Sequence, residues 1–532
     1  NMKELKNDLA SHQVFPKTNS DTEILLLSYL TFGADFVKKV DGIFAFAIYD
    51  ERHNTLTLFR DSFGVKPLFY TMINGTIVFS SEPKGCFCFP SVKAELDVDG
   101  LNEILSLGPA RTPGSGVFYG FHELLPGCYL TCSVFGRKMT QYFHLESRPH
   151  FDSYEETVEK TSFLIQDAIK RQMVSDVPIC TFLSGGVDSS VVSAVCAAEL
   201  KKQGKKLTTF SFDFIDNDKY FKANSFQPSQ DRPYVDKMVS FLDSDHHYLE
   251  CDNKMQADLL YRSVDAHDLP CMADIDSSLQ YFCEEVSHSH KVVLTGECAD
   301  EVFGGYPWFH REEMLNSGTF PWTPSLTPRK VLLKDDLVES LHMDEYVKMI
   351  YDRSVSEINV LPSENEIETN RRRIGYLNIR FFMQTLLNRM DRTSMFSGLE
   401  ARVPFADRTL VDYVFNIPWE MKAKDGLVKN ILRQASKGLL PDEILFRRKS
   451  PYPKTYNPYY ENLLAKRLKE VLSDSASPLH SLLDLKQVTQ FLENPKDYGA
   501  PWYGQLMAGP QMIAYLLQIE YFLRKYNVSI RI

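Results

Sequence analysis

The sequence predicts an α/β protein in two parts: an N-terminal sheet covered on both faces, then a doubly wound parallel sheet that passes into a largely helical C-terminal part. Three observations predict this. Short apolar runs separated by turn signals fill residues 42–80, the pattern of consecutive short strands. Further on, strand-like runs at 177–183, 206–214 and 291–295 alternate with helical stretches, as in a parallel sheet whose ligands lie at the carboxyl ends of the strands. From residue 371 to the end the periodicity is mostly helical.

The chain of 532 residues exceeds what one core serves, and its length suggests roughly two to four domains. With 44% hydrophobic and 24% charged residues it has an ordinary globular composition. A net charge of −11 argues against a large nucleic-acid footprint, which needs clustered Lys and Arg. No apolar run approaches the roughly 18 residues of a membrane span. The opening Asn1-Met2-Lys3-Glu4 is polar and does not read as a signal peptide. The ten cysteines are scattered, and Cys86-x-Cys88 lacks zinc-site spacing, so they read as reduced thiols of a cytoplasmic protein. A first residue Asn1 in place of Met predicts that the chain begins part-way into a longer protein.

In order along the chain, residues 21–36 carry Ile24, Leu25, Leu26, Leu27 and Leu30 and predict a helix with one buried face. Strands are expected at 42–49, 55–60, 67–71 and 76–80, with Asn74-Gly75 as a tight hairpin turn. The first of these is apolar at nearly every position, which predicts burial on both faces. Periodicity lapses at 147–153, placing a boundary between residues 1–148 and 149–532. A helix resumes at Tyr154 and leads to the 177–183 strand. A helix at 189–200 follows, then the 206–214 strand, an amphipathic stretch at 234–242 and the 291–295 strand. The proline-rich 321–328 segment reads as a surface loop.

The chemistry concentrates in two loops. Leu183-Ser184-Gly185-Gly186-Val187-Asp188-Ser189-Ser190 joins a strand to a helix. Backbone N–H groups and a helix N-terminus there face an anion, glycines let phosphate approach, and Asp188 could hold Mg²⁺. Immediately after the 291–295 strand comes Thr295-Gly296-Glu297-Cys298-Ala299-Asp300-Glu301, continuing to Gly304-Gly305-Tyr306. Asp300 could complete a Mg²⁺ site with Asp188, leaving Glu297 to accept a proton or orient an amine. The Arg–carboxylate cluster at 388–395, ahead of Gly398-Leu399-Glu400-Ala401-Arg402-Val403-Pro404-Phe405, reads equally as a structural ion-pair network. The basic run Arg447-Arg448-Lys449 is suited to neutralising phosphate charge in a transition state.

The S-G-G-V-D-S loop resembles the pyrophosphate loop of PP-loop ATP pyrophosphatases. Together with T-G-E-C-A-D-E-V-F-G-G-Y, G-L-E-A-R-V-P-F and R-R-K, it makes the whole chain similar to the glutamine-hydrolysing asparagine synthetases. The resemblance implies an N-terminal αββα glutaminase sandwich followed by a PP-loop synthetase domain. It implies that ammonia from glutamine travels through a tunnel and attacks a β-aspartyl-AMP made from aspartate and ATP. Leu183 and Phe212 would lie against adenine, with Thr295 and Gly296 also on the nucleotide. Ser184, Gly186, Asp188 and Ser189 would hold pyrophosphate, and Asp188 and Asp300 would ligate Mg²⁺. Glu297 and Lys449 would be catalytic, with Asp391 near the aspartate.

In the N-terminal part Asp21 matches the carboxylate that recognises the glutamine α-amine, and residues 60–68 match a structural motif. The family's N-terminal nucleophilic cysteine and its upstream arginine and Asn-Gly-Glu segments are absent; Cys86, the first cysteine, lies in a loop-like stretch. The chain as written therefore resembles a truncated member, expected to use ammonium and not glutamine. Residues 275–278 stand where some members carry an arginine near pyrophosphate. Expected partners are aspartate, ATP and ammonia or glutamine, without nucleic acid or membrane, and a homodimer is compatible with the resemblance. A relative that closes a β-lactam or amidates another carboxylate would share the adenylation chemistry, and the acidic balance disfavours a tRNA-modifying PP-loop enzyme. A non-catalytic nucleotide-binding protein is disfavoured by the intact Asp188, Glu297, Asp300 and Lys449.

Overall fold

The computed structural model describes residues 1–221, 223, 229–495 and 501–532. Its strands in chain order are β1 (Ala45–Asp50), β2 (Thr55–Arg60), β3 (Phe69–Ile73), β4 (Thr76–Ser80), β5 (Glu95–Leu96), β6 (Phe121–Glu123), β7 (Cys128–Ser133) and β8 (Gly136–Gln141). They continue with β9 (Ile179–Phe182), β10 (Thr208–Phe214), β11 (Asp245–Cys251), β12 (Val292–Leu294), β13 (Glu400–Arg402) and β14 (Ser529–Ile530). The chain forms two compact units. One comprises Asn1–Val92, Pro113–Gly116 and Gly120–Glu146, and the other Lys93–Thr112, Val117–Tyr119 and Ser147–Ile532.

The first unit holds two antiparallel sheets, ordered β1-β2-β7-β8 and β4-β3-β6. Leu58, Leu68, Tyr70, Leu124 and Leu130, from both sheets and the adjoining loops, form one core cluster. The helices Met2–Ser11 and Asp21–Phe32 bring Leu5, Leu9 and Ile24 against Phe59 and Tyr129 in a second. A short helix, Pro83–Phe87, packs on β3 and β4. Asn74 and Gly75 both have positive φ, 49° and 82°, between paired Ile73 and Thr76, the geometry of a two-residue hairpin turn.

Three expectations need correction here. The predicted 21–36 helix ends at Phe32, because Gly33 takes φ 69°; a 3₁₀ turn, Ala34–Lys39, follows. β1 is not buried on both faces: it lies at the edge of its sheet, and Tyr49 is 58% exposed. Edge position leaves less of the strand covered than a central place would, so apolar content alone misjudged it. Cys86 is buried in the Pro83–Phe87 helix rather than set in a loop.

The second unit is built on a five-stranded, wholly parallel sheet, ordered β11-β10-β9-β12-β13. β9 continues in sequence to β10 on one side, while β12 pairs on its other side, so the chain reverses direction of travel across the sheet at β9. Such a switch point leaves a crevice at the carboxyl ends of the central strands. Helices Tyr154–Gln172 and Val187–Lys202 pack together beside the sheet. The first starts with a capping box, in which the Ser153 hydroxyl accepts from Glu156 N and Glu156 accepts from Ser153 N.

β11 and β13 were not anticipated. β11 reads Asp-His-His-Tyr-Leu-Glu-Cys and forms one edge of the sheet, where polar side chains suit a strand half open to water. The 321–328 segment is not a surface loop in its first half: Phe320 and Trp322 are nearly fully buried, and Trp322 packs on Trp308 and Phe382. Burying a Trp removes so much apolar area from water that it outweighs the loop signal of the prolines. The 371–532 region is mainly helical, with β13 and β14 as exceptions; residues 496–500 of that expectation lie outside the described residues. Among the described residues no helix is long and apolar enough to cross a membrane.

Candidate active site

At the switch point a cavity of ≈ 270 Å³ opens between the loops that follow β9 and β12. The β9 loop is shaped by Gly185, at φ 70°, where a Cβ would come within 2.7 Å of Tyr234 Cβ. The helix Val187–Lys202 begins immediately after, and its N-cap, Gly186, offers no side-chain acceptor. The first turn of that helix is thus without a side-chain cap, and its Asp188 and Ser189 line the cavity beside the positive end of the helix dipole. Ser184 and Ser189 hydroxyls lie 3.0 Å apart across this turn, and Ser189 Oγ also accepts from Ser184 N at 3.1 Å. Ser184, Gly186, Asp188 and Ser189 all line the cavity.

Thr295, Gly296, Glu297 and Asp300 from the β12 loop line the same cavity, as do Leu183, Phe212 and Lys449. Phe212, on β10, has Tyr452 stacked at 6.1 Å between ring centroids and Phe282 at 5.7 Å, and the three rings form an aromatic wall of the cavity. Two predicted residues lie elsewhere. Asp21 is exposed in the first turn of Asp21–Phe32 in the other unit, where its carboxylate accepts from Thr22 N. Asp391 is buried in the helix Met383–Phe396, but Arg389 and Met390 of that helix line the cavity and Asp391 does not.

The electrostatic centre is a residue the sequence reading passed over. Lys429 is 2% exposed and forms ion pairs with both Asp188, at 2.6 Å to Oδ2, and Asp300. Lys449 adds a second cation on Asp300 at 2.7 Å. Gly305 makes room: a Cβ there would fall 1.8 Å from Asp300 Oδ1 and 2.4 Å from Lys429 Cε. Burial pushes the Asp188 carboxyl up, with Lys429 opposing and Asp300 adding to the rise. Burial also acts upward on Asp300, but Lys429 and Lys449 together outweigh it and hold that carboxyl down at about 2. Asp188 Oδ1 is buried with no hydrogen-bond partner among the described residues.

Other functional contacts were also missed. Arg389 donates to Glu297 Oε1 at 2.7 Å, so one arginine of the 388–395 cluster serves the cavity directly. Burial works against the charged form of Arg389, but Glu297 and Asp276, with Tyr452 and Tyr306, together outweigh it and raise its pKa. In the basic run, Arg447 bonds Ser184 O at 3.0 Å and pairs with Asp231, and Lys449 enters the cavity, while Arg448 is exposed. Tyr306 donates to Glu301, and burial with the Asp300 charge lifts the Glu301 carboxyl to about 7. The signal for Lys429 was slight: a lone lysine in Asp425-Gly426-Leu427-Val428-Lys429-Asn430, far in sequence from either loop.

Residues 161–524 match the asparagine synthase family, and residues 1–143 match the glutamine amidotransferase domain family. Asparagine synthetase [glutamine-hydrolyzing] 3 of Bacillus subtilis (strain 168) is 47% identical over 534 residues, covering 100% of this chain and 86% of the relative. Asparagine synthetase [glutamine-hydrolyzing] 1 of the same organism is 26% identical, covering 92% of this chain and 80% of the relative. Amidase chyE of Penicillium rubens is 28% identical, covering 84% and 74%. A cavity with a helix start, a pair of carboxylates and the lysines Lys429 and Lys449 stands within the matched region, and the chain belongs to the glutamine-hydrolysing asparagine synthetase family.

Proposed function

We propose that this cavity makes asparagine from aspartate and ATP by way of a β-aspartyl-AMP intermediate that ammonia attacks. The observation that carries the reading is the opening of the uncapped Val187–Lys202 N-terminus into the same cavity as Glu297 and Lys449. An aspartate β-carboxylate oxygen attacks the α-phosphorus of ATP, the bond to the β-phosphate breaks, and pyrophosphate leaves. Ammonia then attacks the acyl carbon, AMP departs, and the nitrogen loses a proton. Leu183 and Phe212 would flank adenine, and Thr295 and Gly296 would contact the nucleotide. Ser184, Gly186, Asp188 and Ser189 would bind pyrophosphate through the helix start and hydroxyls. Lys449 would offset charge developing on the phosphates, a preorganised stabilisation in a water-poor site. Glu297, held by Arg389, would orient the acyl group and its amine attacker. Asp391 would act through the Arg389 helix, and Asp21 would recognise a glutamine α-amine in the N-terminal unit.

The oxygen donors of Asp188 and Asp300 suit Mg²⁺, and the unpartnered Asp188 Oδ1 is a lone pair such a hard cation would take. Bound there, Mg²⁺ would neutralise phosphate charge. The test is pyrophosphate release by the purified chain with ATP, Mg²⁺, aspartate and ammonium. We expect Asp188→Asn to lower that rate at least about 100-fold, the scale set by losing one transition-state contact, with circular dichroism unchanged. A folded Asp188→Asn protein working at a near-normal rate would sink the assignment.

A further inference from the structure

A second cluster of ligand-type side chains, none of which lines the cavity, lies next to the cavity-lining Met272. His267 ends the helix Asn253–His267, Cys271 lies in the connection that follows, and Asp276 stands in the first turn of the helix Asp274–Ser287. The ligand atoms of the three lie within 4.8 Å of one another, and His267 Nε2 is 3.9 Å from Asp276 Oδ2. His267 is 9% exposed and Asp276 1%. His267 Nδ1 sits 2.8 Å from Ser263 O, and a carbonyl can only accept, so Nδ1 carries the proton and Nε2 presents a lone pair. Neither that Nε2 nor Asp276 Oδ1 has a hydrogen-bond partner among the described residues. The Cys271 thiol can offer its S–H to the Asp276 carboxylate, but His267 Nε2 is left without a donor, which is costly for a buried acceptor.

We propose that His267, Cys271 and Asp276 form a zinc site, separate from any Mg²⁺ at Asp188 and Asp300. The donor set is imidazole nitrogen, thiolate sulfur and carboxylate oxygen, which suits a borderline-soft d¹⁰ cation. Charge also balances: Zn²⁺ with one thiolate, one carboxylate and a neutral imidazole is neutral overall, which a buried site requires. Arg392 pairs with Asp268 at 3.0 Å, and Arg389 pairs with Glu297 at 2.7 Å while also feeling the Asp276 charge. Tetrahedral zinc with bonds of about 2.0–2.3 Å sets its ligands roughly 3.5 Å apart, so the present spacing needs only small side-chain movements. The outer contacts are in place: Ser263 O orients His267, Met272 N donates to Asp276 Oδ2 at 2.6 Å, and Gln518 Nε2 donates to Cys271 Sγ at 3.1 Å. Ligation takes sulfur as a thiolate, so binding releases one proton, from the Cys271 thiol. The ion fastens the end of one helix to the start of the next across Ala273, held at φ 52°, and beside Met272, which lines the cavity.

The full chain, stripped with a chelator, is titrated with Zn²⁺ against a chromophoric competitor, and separately with Co²⁺ in the presence of excess Mg²⁺. The expected result is one tight Zn²⁺ per chain and a thiolate-to-Co²⁺ charge-transfer band. Cys271→Ser and His267→Gln should remove the band and weaken Zn²⁺ binding at least about tenfold. No charge-transfer band in the wild-type chain overturns the proposal, whatever the variants do. Undiminished Zn²⁺ binding by folded Cys271→Ser overturns it equally.

Discussion

At the scale of single residues, the site depends on carboxyls that burial and neighbouring charge push in opposite directions. Asp300 is held ionised by two lysines, whereas Glu301, one residue on, rises to about 7 through burial and the Asp300 charge. A raised carboxyl binds a proton in the folded chain that the unfolded chain has released, so it favours folding less as pH climbs. Between the ordinary value of 4.5 and about 7, Glu301 therefore removes stability with rising pH. The slope is at most about 1.4 kcal/mol per pH unit. We expect Glu301→Gln, which keeps an acceptor for Tyr306, to flatten that part of the stability curve. Urea midpoints measured across the window check this, and parallel curves for the two proteins would refute it.

At the scale of elements, the β9 and β12 loops are tied together by a side chain from neither. Lys429, ahead of the helix Asn430–Ala435, reaches both Asp188 and Asp300. Removing one member of a buried ion cluster leaves charge uncompensated and typically costs about 3–5 kcal/mol. Lys429→Met should lower the unfolding free energy by roughly 3 kcal/mol and abolish ammonium-dependent pyrophosphate release. A Lys429→Met protein as stable and active as wild type would show that the lysine is incidental. Both loops were legible beforehand because each pairs a strand end with glycines and charge in a short stretch. Lys429 and Arg389 were not, because the partners of each are set by packing between distant segments.

At the scale of the whole molecule, the lapse in periodicity at 147–153 does not mark all of the second unit. Residues 93–112 belong to that unit as well. The helix Val98–Leu105 is anchored there: Asn102 Nδ2 donates to Leu341 O at 2.8 Å, and Tyr346 donates to buried Glu103 at 2.7 Å. Tyr515 donates to Ile104 O at 2.9 Å, and β5 pairs with β14. A fragment of residues 147–532 loses these partners and exposes the apolar surface beneath them. We expect its thermal midpoint to fall several degrees below that of the corresponding transition in the intact chain, as a deficit of 1–2 kcal/mol would produce at this size. Equal midpoints would show that the 93–112 segment adds nothing to the unit.

By itself the sequence determined the α/β class, the strand–loop–helix around residues 183–190, and the acidic loop after the third strand. These are local: each is written in the order of neighbouring residues, where periodicity, glycine placement and charge act over one turn or one strand. Only the tertiary structure decided that β11 and β13 complete the sheet and that 93–112 joins the second unit. It also decided that Lys429 holds the two carboxylates and that His267, Cys271 and Asp276 converge. Those depend on which distant segments share a buried, low-dielectric space, where an unpartnered charge is costly and a partner must be found across the fold.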